Sequence, residues 1–244
     1  ARQRIELETE ARLRLERGLQ GIDKMVTIGQ LSAGLAHEIG SPLQVLSGRA
    51  AALLTRSTDP ETRRQAEILV EQTMRITRIV AQLLSFGRRR PAVIAACDLA
   101  RPVAAVLELL DGEARRRGVA LELQRGAGSF VIDADEDQLQ QIVLNLVRNA
   151  LAATPSGGRI TVQVEAAATA VRLIVRDTGP GIPPELHARL FEPFFTTRAA
   201  EGGTGLGLAV VRAIVVEHGG TITASTGHGA VFTVSFPART PRVG

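Results

Sequence analysis

The chain has 244 residues, 45% of them hydrophobic, which is enough for one large core or two small ones. Its pI of 10.7 would suggest nucleic acid, but the net charge is only +4, Lys24 is the sole lysine and tyrosine is absent, so a small arginine excess lifts the pI alone. With so few aromatics to stack on bases, nucleic acid is not an expected partner. The single cysteine, Cys97, excludes an intrachain disulfide and a cysteine-based zinc cluster, and no run approaches the roughly 18 to 20 apolar residues of a membrane span.

Residues 1 to about 56 carry helical periodicity. Leu15, Leu19, Ile22 and Val26 alternate steps of four and three, a short coiled-coil seam, so residues 1–21 are predicted to be an N-terminal coiled-coil signalling helix. Near Gly29 the apolar line shifts phase to Ile28, Leu31, Leu35 and Ile39. The helix starts uncapped at residue 1, so an upstream sensor module or helix is expected to precede it. Leu31, Leu35, Ile39 and Leu43 form one stripe, and His37, about 200° on from Leu35, points away from it into water. Pro42 removes a donor to the carbonyl of Glu38 and predicts a bend just after His37.

The stretch Thr55-Arg-Ser-Thr-Asp59-Pro60 reads as a turn, with Asp59 as N-cap and Pro60 at the first helical position of a helix that runs to about Phe86. Leu69, Thr73, Ile76, Val80 and Leu83 give that helix an apolar seam. Two such helices make only a hairpin, so residues 22–90 are expected to complete their core by pairing with a second copy, as a homodimeric four-helix bundle. Arg88-Arg89-Arg90 fits a solvated hinge.

From 91 to 244 the pattern changes to short strands alternating with helices. Strands are predicted near Val119–Leu123, Phe130–Asp133, Arg159–Glu165, Val171–Asp177, Thr221–Ser225 and Ala230–Phe236, the last two as a hairpin around Gly227-His-Gly229. Helices fit Arg101–Arg117, Glu136–Ala153 and Leu206–His218. The fold class is therefore multidomain: an α hairpin followed by an α/β sandwich, with helices on one face of a mixed sheet.

Three patterns in the second region carry chemistry. Asn145 and Asn149 lie four apart and project from one helix face, where amide oxygens can ligate Mg²⁺ and amide nitrogens can touch phosphate. Asp177-Thr-Gly179-Pro-Gly181 ends a strand in a glycine turn, where a carboxylate can accept from an exocyclic amine beside a flat ring. Gly203-Thr204-Gly205-Leu206-Gly207 runs into a helix and offers backbone N–H groups and a positive dipole end to a phosphate chain. Alone, the first is more often a surface polar face and the second more often an ordinary turn, while the third is about evenly a flexible loop.

Their order in one chain, after Ala-His37-Glu38-Ile-Gly-Ser41-Pro42 and with Phe191-Glu-Pro-Phe194-Phe195 between the glycine motifs, resembles the sensor histidine kinases of two-component systems over residues 22 to 237. The wording around Asn149 and His37 is most similar to their nitrogen-regulator branch. The resemblance implies a phosphotransfer hairpin and a GHKL-type catalytic ATP-binding domain, with ATP and Mg²⁺ as cofactors and the receiver domain of a response regulator as partner. His37 would be the phosphoacceptor, neutral near cytoplasmic pH given a reference pKa of about 6.5. Glu38 would orient its ring or take its proton. Asp177 would hold adenine beside Gly179 and Gly181, and Asn149 with Asn145 would hold Mg²⁺ and the triphosphate. Phe194 and Phe195 would anchor a lid, and Gly203, Thr204, Gly205, Leu206 and Gly207 would line the phosphates.

The sequence departs from the family pattern twice. Thr197-Arg198 stands where lysine is usual, so a guanidinium fork replaces a point charge. Ser41 stands where relatives carry Asn or Thr to position water for dephosphorylation of the partner. Two rivals share the nucleotide site: a clamp ATPase of the wider superfamily, which commonly has a glutamate where this chain has Asn145, and an inactive nucleotide-binding scaffold. The lone cysteine fits a reducing cytoplasm, although a longer protein could be membrane-anchored.

Overall fold

A computed structural model describes residues 41–87, 92–198 and 203–239, with backbone only at residues 78, 79 and 81–87. His37, Glu38, the coiled-coil segment, the phase shift at Gly29 and the arginine run lie outside the described residues. The chain divides into two compact units, Ala1–Arg90 and Pro91–Gly244. Among the described residues no helix is long and apolar enough to cross a membrane.

In the first unit, helix α1 (41–56) is followed by helix α2 (Pro60–Gly87). The predicted cap is present: the Asp59 carboxylate accepts from the Thr62 N–H at 2.8 Å and from the Thr62 hydroxyl at 2.5 Å, and Pro60 opens the helix. The Arg63 guanidinium donates to the carbonyl of Leu54 at 2.5 Å and stitches the turn shut.

The seam differs from its sequence reading in an informative way. Leu43 and Ala50 on α1, and Ala66 and Thr73 on α2, are buried. Each pair is seven residues apart, so these mostly small residues form one packed stripe. Leu46 and Leu53 on α1, and Leu69 and Ile76 on α2, also lie seven apart, yet remain 43–57% exposed. This second stripe is offset from the first by three residues, about 60° around each helix. The predicted single seam is thus two seams, one filled and one open in the single chain.

The second unit runs β1 (Ala95–Asp98), α3 (Ala100–Arg116), β2 (Ala120–Arg125), β3 (Val131–Ala134), α4 (Glu136–Ala153), β4 (Arg159–Ala166), β5 (Ala170–Asp177), α5 (Gly207–Glu217), β6 (Thr221–Thr226) and β7 (Ala230–Pro237). The five-stranded sheet has the order β2-β4-β5-β7-β6, parallel at β2/β4 and antiparallel elsewhere. Strand β3 leaves that sheet to pair with β1, which the sequence reading did not anticipate.

Alternation fixes the packed face. Ile160, Val162 and Val164 of β4, Val171, Leu173 and Val175 of β5, and Ala230, Phe232, Val234 and Phe236 of β7 are buried. The strand registers place them side by side. Helix α4 buries Leu139, Ile142, Val143, Leu146, Val147, Ala150 and Leu151 against this core, and α5 is apolar on almost every side. Cys97 is buried as well, and burial followed by the nearby Glu136 and Asp98 charges pushes its thiol pKa up, which makes it an unreactive core residue.

Two stability outcomes are expected. Leu173→Ala should lower unfolding free energy by about 2–5 kcal/mol in urea titration, because the side chain is fully buried. Hydrogen bonds from the Thr62 hydroxyl, then from backbone, hold the Asp59 carboxyl below the ordinary carboxylate range. A depressed folded-state pKa stabilises above the unfolded value and the benefit is lost as pH falls. The stability gap between wild type and Asp59→Ala should therefore be present at pH 7 and shrink below about pH 4.

Candidate functional site

The site forms where β5, α4 and the start of α5 converge. On β5 the buried positions are Val171, Leu173, Val175 and then Asp177, which is only 3% exposed. Strand alternation thus drives a carboxylate onto the helix-covered face, where it needs donors. Its Oδ1 accepts from the Gly179 N–H at 2.8 Å and from the Ala230 N–H at 3.1 Å. Among the described residues both bonds fall on Oδ1, which leaves Oδ2 to accept from an outside amine.

Three glycines permit that cradle. A Cβ on Gly179 would sit 2.7 Å from the Ala153 carbonyl oxygen, and one on Gly229 would overlap the backbone of Asp177 itself. Gly181 adopts φ 78° and packs against Thr226. The Thr226 hydroxyl donates to the Ile182 carbonyl at 2.7 Å and accepts from the Ile182 N–H at 3.2 Å, tying the glycine turn to the β6–β7 hairpin. Gly229, Ala230 and Thr226 were not singled out in the sequence; Gly227-His-Gly229 registered only as a turn.

Asn145 and Asn149 lie on one half-buried face of α4, as their spacing predicts. Gly207, the first residue of α5, packs against both: its Cβ position is 3.4 Å from Asn145 Oδ1 and 3.9 Å from Asn149 Nδ2. The paired amides and the start of a helix, with its free N–H groups and positive dipole end, are therefore juxtaposed. Among the described residues no cluster of His, Cys, Asp or Glu can hold a metal. An amide pair beside a helix start with free N–H groups fits Mg²⁺ that arrives with a nucleotide, since this ion takes few protein ligands and shares phosphate oxygens.

The segment between the glycine motifs is rooted at both ends. Pro184–Leu186 forms one 3₁₀ turn, and the Arg189 guanidinium lies 4.5 Å over the Phe195 ring while pairing with Glu192 at 3.2 Å. Gly205, at φ 69°, lies so close to Phe194 that a Cβ would strike its carbonyl group. Phe194 itself has φ 65°, a left-handed backbone rarely adopted by a bulky residue, and its ring is 52% exposed. At the other root the Gly203 N–H donates to the Arg198 carbonyl at 2.9 Å, and the Thr196 hydroxyl accepts from the Arg198 N–H at 3.1 Å. Among the described residues Arg198 Nη1 is shielded from solvent and has no hydrogen-bond partner. Burying a charged donor unpaired is costly, so an anion is its natural complement. Thr204 and Leu206 flank Gly205 in the same loop, while Thr197 is exposed.

The structure thus gathers Asn145, Asn149, Asp177, Gly179, Gly181, Gly205 and Gly207 at one end of the second unit, with Phe194, Phe195, Arg198 and Gly203 in the adjoining segment. Ser41 is exposed on α1.

Residues 134–240 match the family model described as histidine kinase-, DNA gyrase B- and HSP90-like ATPase, and residues 27–92 match the His kinase A phospho-acceptor domain. The chain is 37% identical to the sensor histidine kinase ZraS of Klebsiella oxytoca over 231 residues, 93% of this chain and 50% of that protein. The chain spans about half the length of the curated ZraS relatives. Full-length ShkA in complex with AMPPNP superposes with a TM-score of 0.69 at 30% identity, over 87% of this chain and 46% of that one. Histidine kinase ThkA, solved with the response regulator TrrA, gives 0.67 at 29% identity over 95% and 67%. On the order of its motifs, the architecture of both units and these matches, the chain belongs to the sensor histidine kinase family of two-component systems.

Proposed function

We propose that this chain autophosphorylates His37 from Mg·ATP as a homodimer and passes the phosphoryl group to an aspartate on the receiver domain of a response regulator. The observation that carries the reading is the meeting of Gly207 with Asn145 and Asn149, together with the buried carboxylate of Asp177 at the end of β5. Asp177 Oδ2 accepts from the adenine amine, with Gly179 and Gly181 giving the ring close backbone approach. Asn149 and Asn145 hold Mg²⁺, which supplies charge neutralisation of the triphosphate. The N–H groups at Gly205 and Gly207, with Thr204 and Leu206, receive phosphate oxygens, and Arg198 adds its fork from the lid. Thr197 and the rings of Phe194 and Phe195 complete that lid.

In the chemical step a ring nitrogen of His37 forms the N–P bond as the bridging P–O bond breaks. ADP departs with the electron pair, and Glu38 takes the ring proton. The protein's contribution is positioning and electrostatics, since phosphoryl transfer needs little covalent chemistry from it. The resemblance to a kinase solved with its regulator supports the second transfer. Asn145, an amide with no basic site, disfavours the clamp-ATPase alternative. The intact set of nucleotide-facing groups disfavours an inactive scaffold. The unit would act in the cytoplasm, downstream of a sensor module, with residues 1–21 as the signalling helix, 22–90 as the phosphotransfer domain and 91–244 as the catalytic domain.

Dimerisation is supported by the open stripe of Leu46, Leu53, Leu69 and Ile76. Its heptad spacing suits the matching stripe of a second copy. Leu53→Glu with Ile76→Glu is expected to shift the chain to monomer in sedimentation.

His37→Gln should abolish labelling from γ-labelled ATP while leaving nucleotide affinity unchanged, and loss of nucleotide binding in that variant would contradict the assigned roles. Asp177→Asn should weaken nucleotide binding about tenfold or more, the size of one charge-assisted hydrogen bond, measured by calorimetry. Arg198→Ala should reduce ATP affinity more than ADP affinity, with Arg198→Lys recovering part of the difference. Equal loss for both nucleotides would place the guanidinium away from the terminal phosphate.

A further inference from the structure

Helices α4 and α5 lie side by side in opposite directions. Gly207 at the start of α5 faces Asn145 and Asn149, and His218, just past its end, meets Asp135 at the cap of α4. At about 1.5 Å rise per residue, this far junction is on the order of 15–20 Å from the asparagine–glycine contact.

The junction is closely specified. His218 is 9% exposed, and both of its ring nitrogens are engaged. The Asp135 N–H donates to Nε2 at 3.1 Å, so the ring proton resides on Nδ1, which donates to the Ile214 carbonyl at 2.8 Å. Phe236 meets the ring edge-on at 6.2 Å between centroids. The Asp135 carboxylate is divided between two tasks. Oδ1 accepts from the Gln138 N–H at 3.1 Å and caps α4, while Oδ2 accepts from the Val93 N–H at 2.8 Å. Burial raises the pKa of this carboxyl, but hydrogen bonds from Val93, Gln138 and Asp137 outweigh that and hold it below its ordinary value.

Val93 lies in the segment by which the chain enters the second unit, three residues after the first unit ends at Arg90. Val93 is 75% exposed, so apolar packing does little to fasten it, and its N–H is held by the Asp135 carboxylate.

We infer that Asp135 and His218 are positioning residues that couple occupancy of the nucleotide site to the hold on the entering chain at Val93. The inference rests on the nucleotide reading above. A ligand gripped between Asn149 and the Gly207 backbone shifts α4 against α5 at one end. Both helices are packed elements, and His218 Nε2 holds the backbone N–H of Asp135 at their far ends, so the shift is felt at the residue whose carboxylate holds Val93. Coupling is reciprocal: movement of the entering chain changes nucleotide affinity by the same factor.

The test is hydrogen exchange of residues 92–98 in the full chain, with and without saturating Mg·ADP, in wild type, His218→Phe, His218→Gln and Asp135→Ser. His218→Phe keeps a ring against Phe236 and loses both hydrogen bonds. His218→Gln returns an acceptor near the Nε2 position. Asp135→Ser keeps a good helix cap but offers one oxygen where two are used. Mg·ADP is expected to change exchange in this segment about 5-fold in wild type, the lower range of typical coupling. His218→Phe and Asp135→Ser should exchange faster and respond to Mg·ADP no longer, and His218→Gln should recover the response. Mg·ADP binding to wild type with no change at residues 92–98 would overturn the coupling and leave the nucleotide site standing. A full Mg·ADP response in His218→Phe or Asp135→Ser would overturn it too, since a merely structural contact alters both states alike. Failure of wild type to bind Mg·ADP would overturn the coupling together with the nucleotide reading.

Discussion

The burial of the Asp177 carboxylate is the constraint from which the rest of the site follows. A position on β5 that alternation assigns to the core holds an acid instead. That acid is tolerable only because backbone donors at Gly179 and Ala230 reach one of its oxygens. Those donors reach it only because no side chain stands at Gly179 or Gly229. The other oxygen is then presented, already oriented, to whatever donor enters. Preorganisation of this kind costs little rearrangement when a ligand binds.

The same logic governs the start of α5. Helix α5 is apolar nearly all round and must be buried, so it packs beside α4, and its first residue, Gly207, comes within contact distance of the two asparagines. In the loop between the glycine motifs, Phe194 takes a left-handed backbone where it lies on Gly205, and Arg198 keeps a shielded donor without a hydrogen-bond partner among the described residues. Both are locally unfavourable features within a loop that the rest of the unit holds at its roots, the pattern expected where a fold keeps a site ready for an anion.

Much of this was legible in the sequence because it depends on periodicity and on glycine. Helix α4 was predicted as Glu136–Ala153 and is observed at those bounds, and β4 through β7 fall within a residue or so of their alternating runs. Strand β1 is not legible in the sequence, because Ala95-Ala-Cys-Asp98 has neither alternation nor strand-favouring residues and, among the described residues, pairs with β3 alone. The hairpin seam was read as one line because periodicity reports apolar spacing but not the number of partners. Small Ala66 and Thr73 pack within the chain, while larger Leu69 and Ile76 stay open. Ala230 and His218 were passed over because each acts through a hydrogen bond to a residue more than fifty positions away, which no local pattern encodes.

The central claim is that Asp177 reads adenine while Asn149 and the start of α5 hold its phosphates. Titration of the chain with Mg·ADP and Mg·GDP, followed by amide NMR, tests it most directly. The account predicts saturable ADP binding with the largest shifts at Gly179, Ala230 and Gly207, and much weaker GDP binding, because guanine offers an oxygen where the carboxylate needs a donor. Equal affinity for the two, or ADP shifts that leave Ala230 and Gly207 unmoved, would contradict it.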